Sequence, residues 1–99
     1  MSHNLDELLD EARAVLPDIV RLRRRLHRRP EVGLMLPETQ AAIVEALGPF
    51  DLKVTVGKRL SSVVAVLAGA SPGPTVLLRA DMDALKIRET TGLDYASEI

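Results

Sequence analysis

Residues Leu52 to Ala80 read LKVTVGKRLSSVVAVLAGASPGPTVLLRA, and this stretch decides the fold class. Leu52, Val54 and Val56 alternate with Lys53 and Thr55, the period of two that marks a strand with one buried face. Ser62 to Ala68 runs almost unbroken through Val, Ala and Leu, which predicts a strand covered on both faces. Ser71-Pro72-Gly73-Pro74 follows as a turn, because proline and glycine fix the backbone there. Thr75 to Ala80 predicts a third, buried strand, with Asp81-Met82-Asp83 at its carboxyl end.

Upstream the period is helical. Leu5, Leu8, Leu9, Ala12, Leu16, Ile19, Leu22 and Leu26 recur at the spacing of one helix face. Asn4 and Glu7 have the spacing of a capping box. Acids in the early turns and arginines in the late ones complement the helix dipole. Pro17 costs about 3 kcal/mol in a helix interior. It predicts either one long kinked helix or two helices with Pro17 in the first turn of the second, and Pro30 ends the run. Pro37 suits the first position of the next helix, where Glu38 is also favourable. Ala42, Ile43, Ala46 and Leu47 give that helix its apolar face, and Gly48-Pro49 stops it. The chain closes with a turn around Thr91-Gly92. The fold class is therefore α/β: two N-terminal helices packed on a mixed sheet of at least three strands.

The 99 residues suit one domain. Apolar residues make up 46% of the chain while Phe50 and Tyr95 are its only Phe, Tyr or Trp, so the core must be aliphatic. Thirteen Lys and Arg against 14 Asp and Glu leave a net charge of -1, which argues against bulk attraction to nucleic acid or membrane. The absence of cysteine excludes disulfides, thiolate metal sites and cysteine nucleophiles. No apolar run approaches the roughly 20 residues that span a bilayer. The acidic first residues do not read as a signal peptide, so a cytoplasmic protein is expected.

Three groups of residues could carry chemistry. Arg21, Arg24, Arg25 and Arg28 form a basic stripe, but no aromatics interleave with it to stack bases, so it reads as a solvated helix face rather than a nucleic-acid surface. His3 and His27 each lack a second histidine at helical spacing, which leaves no local metal motif. His3 reads as a surface residue and His27 as a hydrogen-bonded structural one. Asp81 and Asp83 are the most informative pair. Carboxylates at the carboxyl end of a buried strand lie where α/β sheets present ligands and catalysts. There they bind cations, orient histidines or take protons. The competing reading pairs Asp81 with Arg79 or makes it a turn cap.

These segments together resemble a known family over nearly the whole chain. Leu22 to Gly33, reading LRRRLHRRPEVG, looks like its N-terminal signature, and Glu38-Thr39 follows at the family's spacing. Val63-Val64-Ala65, Arg79 to Leu85, Glu89, Gly92-Leu93 and Tyr95-Ala96-Ser97 continue the likeness in order. The family is the zinc-type amidohydrolases of peptidase family M twenty, which includes hippurate hydrolase, N-acyl-amino-acid deacylases and indole-acetyl-amino-acid hydrolases.

The resemblance implies an α/β catalytic domain with a dinuclear metal centre, a glutamate general base and small N-acyl amino acid substrates. It implies that residues 1–99 are the N-terminal portion of that domain, since the family's metal ligands lie beyond the Tyr-Ala-Ser block. Zinc, manganese or cobalt would serve the full-length enzyme, and no metal is expected on this chain alone. Asp83 matches the aspartate that orients a metal-ligating imidazole, which makes it the candidate catalytic-site residue. Asp81 stands where distant relatives place a metal-binding histidine and is the weaker candidate. Arg79, His27 and Glu31 match positions with structural roles. Lys86 departs from the family's usual proline and Ser62 from its frequent glycine. The alternative is a non-enzymatic α/β interaction module derived from such a domain. An incomplete sheet predicts that the isolated chain self-associates, and the family leaves homo-oligomers possible.

Overall fold

The computed structural model of the protein describes residues 4–99, so the reading of His3 lies outside the described residues. The first element, α1 (Leu5–Arg28), is a single continuous helix with Pro17 inside it. It is about 36 Å long at 1.5 Å per residue. Asn4 is its N-cap, with extended backbone and a side-chain oxygen that accepts the Glu7 N–H at 2.8 Å. Pro17 removes the bond to the Arg13 carbonyl, and both residues sit on an exposed stretch where water can serve that oxygen. This resolves the two readings of Pro17 in favour of one helix. The helix stops before Pro30, at Arg29, whose N–H bonds the Leu26 carbonyl at 3.2 Å.

The second element, α2 (Pro37–Leu47), begins on proline as expected, but its N-cap residue Leu36 has no side-chain acceptor to offer. Glu31, in the linker from α1, supplies it. Its two carboxylate oxygens accept the Thr39 N–H at 2.6 Å and the Glu38 N–H at 3.2 Å. The linker is thereby held against the start of the helix that follows it.

The strands β1 (Lys53–Val56) and β2 (Val63–Val66) form an antiparallel hairpin, with Lys53 opposite Val66 and Val56 opposite Val63. Gly57 opens the connecting loop, and its N–H bonds the Ser62 carbonyl at 2.9 Å. A Cβ at Gly57 would collide with the Ser62 hydroxyl and the Leu60 carbonyl, so the closure requires glycine. Helix α2 is the middle layer, touching α1 on one side and β2 on the other. The buried centre among the described residues is small: Leu36, Thr39, Ala42 and Ser61. Ser61 ties the hairpin loop to the interhelical linker by accepting the Leu36 N–H at 2.6 Å and donating its own N–H to Leu34 at 3.0 Å.

The sheet departs from the sequence reading. It is a two-stranded antiparallel sheet rather than a mixed sheet of three or more strands. Thr75 to Ala80 forms no ladder, and Val76, Leu77 and Leu78 are 82%, 86% and 92% exposed. Strand β2 is half-buried only at Val63 and exposed from Val64 onward, so it is not covered on both faces. The physical reason is a shortage of covering layers, because α2 is the helix that packs against β2 and it covers one end of the hairpin. The accessible surface of 8870 Å² reflects this. A closed domain of this mass exposes about 5,500 Å². The radius of gyration is 16.2 Å, against roughly 13 Å for a compact chain of this length.

Residues 67–99 are irregular and return to the joint between the helices. The Ala84 N–H donates to the Glu31 carbonyl and the Glu98 N–H to the Arg28 carbonyl, each at 2.8 Å. The expected closing turn falls slightly later, with Ala96 N–H bonding Leu93 at 3.0 Å, while Gly92 takes a positive φ of 71°.

Candidate functional site

Along Asp81-Met82-Asp83-Ala84 exposed and half-buried residues alternate. Met82 and Ala84 turn inward, which leaves both carboxylates on the solvent side. They differ in what they meet. Asp81 accepts a hydrogen bond from the Arg79 guanidinium at 2.8 Å, with both side chains well exposed, as the pairing interpretation anticipated. Asp83 has no hydrogen bond or ion pair among the described residues. Its neighbour Ala84 is the anchored one, through the backbone bond to Glu31. The segment thus carries one neutralised carboxylate and one free carboxylate beside a fixed point.

Glu31 is the residue with most connections near this segment. Partial burial opposes its ionisation, but hydrogen bonds from Thr39 and Glu38 and the positive charge of Arg29 outweigh that, and its carboxyl is held below the usual glutamate range.

A second cluster lies at the carboxyl end of α1. His27 Nε2 and Glu89 Oε1 are 2.5 Å apart, although 62 residues separate them in the chain. Glu89 also accepts the Thr91 hydroxyl and, at 3.0 Å, the Ser97 N–H. The Thr91 and Ser97 bonds hold the Glu89 carboxyl below its usual range; partial desolvation opposes them, and His27 adds to the lowering. Tyr95 meets His27 edge-on with ring centroids 6.0 Å apart, and the Arg24 guanidinium carbon stands 4.2 Å over the Tyr95 ring. His27 is therefore a hydrogen-bonded residue that fastens the last segment to α1.

The basic stripe is also partly engaged within the chain. Arg21 pairs with Asp18, Arg25 with Glu45 at 2.8 Å, and Arg24 with the Tyr95 ring. The hydrogen bond and charge of the Arg25–Glu45 pair raise the arginine pKa and lower that of the carboxyl. Among the described residues, no three His, Asp or Glu side chains converge on a point that could hold a metal ion. His27 is occupied by Glu89, Asp81 by Arg79, and Asp83 has no ligating neighbour. These residues do not by themselves fit a metal centre.

Sequence reasoning singled out Asp81 and Asp83 as candidates and missed the capping role of Glu31 and the reach of His27 to Glu89. A signal for the first was present: a helix that starts on proline after leucine needs an acceptor from elsewhere. The second spans too much chain for any local pattern to reveal it.

No family model matches the chain, and no solved structure matches it. Curated relatives do. It is 34% identical to thermostable carboxypeptidase 1 of Saccharolobus solfataricus, over 96% of this chain and 24% of that protein. It is 35% identical to an N-acyl-L-amino acid amidohydrolase of Geobacillus stearothermophilus, over 95% of this chain and 25% of the relative. With N-acetyl-L-cysteine deacetylase of Bacillus subtilis it shares 41% identity over 81% of its own residues and 19% of the relative's. The chain therefore spans about a quarter or less of the length of these relatives. Deacetylases and amidohydrolases of N-acyl amino acids are of the kind that the sequence resembled, and the carboxypeptidases stand beside them, so the likeness to the M twenty amidohydrolases holds. No helix among the described residues is long and apolar enough to cross a membrane.

Proposed function

We propose that these residues form the N-terminal part of the catalytic domain of a cytoplasmic, metal-dependent amidohydrolase. Its reaction adds water across the amide bond of an N-acyl amino acid, releasing a carboxylate and an amine. The observation that carries this reading is the identity to a deacetylase over 81% of the chain and to an amidohydrolase over 95% of it. The exposed apolar run Val76–Leu78 supports the domain assignment, since such a segment is built to lie inside a larger sheet. Zinc, manganese or cobalt would be held by residues outside this chain, and 1–99 alone would not hydrolyse substrate. Asp83, with its carboxylate unengaged, accepts the N–H of an imidazole from that remaining part and fixes its tautomer and angle. Asp81, committed to Arg79, contributes less. The enzyme can assemble as a homo-oligomer.

The test is hydrolysis of N-acetyl amino acids by the protein in which residues 1–99 are followed by the rest of its reading frame. Asp83→Asn should lower activity about 10–100-fold, the usual effect of removing such a partner. Its thermal unfolding should move little, because Asp83 is exposed and unpaired here. Asp81→Asn should be milder. Full activity and metal content in Asp83→Asn would refute the assignment of that residue. Absence of hydrolysis by the unaltered protein would leave the interaction module as the reading.

A further inference from the structure

We propose that Glu31 is a positioning residue for Asp83, because its side chain caps α2 while its carbonyl holds the backbone beside that carboxylate. The proposal rests on the assignment of Asp83 to the hydrolase site. The two halves of Glu31 do different work. Its carboxylate accepts the N–H groups of Thr39 and Glu38 and so fixes the linker's angle to α2. Its carbonyl accepts the Ala84 N–H at 2.8 Å, one peptide beyond Asp83. Ser61 braces the same linker from the hairpin side through Leu34 and Leu36.

This bond is the first tie of the irregular stretch to the helices after the hairpin. The next ties lie at Glu89, Tyr95 and Glu98. Asp83 therefore depends on Glu31, more than on the distant His27 contact, for its place relative to α2. A carboxylate that orients an imidazole must hold its angle closely, since small misplacement near reacting groups costs rate. If the Glu31 side chain lets go of α2, the linker carbonyl turns and Ala84 moves with it.

The test is nuclear magnetic resonance on the 99-residue chain, joined to kinetics on the protein with its full reading frame. In the unaltered chain the Ala84 amide shift should follow the titration of the Glu31 carboxyl, with its midpoint below the usual glutamate range. In Glu31→Gln that inflection should vanish, and Ala84 amide exchange should quicken at least tenfold, while the Gly57 amide keeps its protection. His27→Ala should expose the Ser97 amide and leave Ala84 unchanged. In the hydrolase, Glu31→Gln should lower kcat with KM unchanged. An Ala84 amide that ignores Glu31 titration in the unaltered chain would overturn the proposal, whatever the chain hydrolyses. Retained kcat in Glu31→Gln would overturn it as well. Lost Ala84 coupling with an unaltered Asp83-dependent rate would show that Glu31 shapes the linker but not the site.

Discussion

Leu78→Asn measures how much of the third predicted strand is covered in this chain. Full burial of a leucine side chain is worth about 1.5–3 kcal/mol. Leu78 is 92% exposed, so less than a tenth of that contribution is present here. On that basis the substitution should change the unfolding free energy of the monomeric 99-residue chain by about 0.3 kcal/mol or less. In a protein where the same side chain lies between sheet and helix, truncation of a core leucine costs about 2–5 kcal/mol, and a polar amide adds its own desolvation. The two contexts therefore differ several-fold for one change. Urea unfolding followed by circular dichroism gives the stability, and light scattering over a dilution series gives the association state. The unaltered chain should associate with rising concentration through Val76 to Leu78, and Leu78→Asn should weaken that association. A loss above 1 kcal/mol in a concentration-independent monomer would refute the reasoning, since it would require that these residues already sit in a closed core.

Two further outcomes follow from the ends of the molecule. Asn4→Ala should lower the helical signal of α1 and cost about 1 kcal/mol, the usual value of an N-cap acceptor, as read by circular dichroism on heating. The Glu89 carboxyl is held below its usual range, so it contributes stability above the ordinary glutamate pKa and loses it as the pH falls through the lowered one. Acid should therefore free the Ser97 amide to exchange, and Glu89→Gln should remove that acid-dependent step.

Much of this fold is legible in sequence because helices are local. The spacing of Leu5 to Leu26, the acceptor at Asn4 and the stops at Pro30 and Gly48-Pro49 all act within a turn or two, and α1 and α2 form where they indicate. The strands β1 and β2 also form where the pattern places them, while their antiparallel pairing across a short loop is what the structure adds. Burial is not. Val64, Val66 and Leu77 declare what their surroundings should be, but a sequence pattern cannot supply the layer that covers them. Thr75 to Ala80 has strand composition without a neighbouring ladder to pair with. At the candidate site, the Arg79–Asp81 pair could be anticipated from two-residue spacing. The Glu31–Ala84 and His27–Glu89 ties could not, as each joins segments more than 50 residues apart.

The His27–Glu89 link also bears on the order in which the chain folds. Closing a loop of 62 residues costs on the order of 4 kcal/mol in chain entropy beyond a constant. Helices form within about a microsecond and hairpins within roughly ten, so α1, α2 and the β1–β2 turn precede it. Each of them shortens the flexible path between residues 27 and 89, and Ser61 and Glu31 shorten it further by fastening the hairpin and Ala84 to the linker. The histidine contact is thus cheap only after everything between its partners has organised. By the same reasoning it closes after the helices and the hairpin, in company with the Glu98–Arg28 and Tyr95–Arg24 ties, which span still more of the chain.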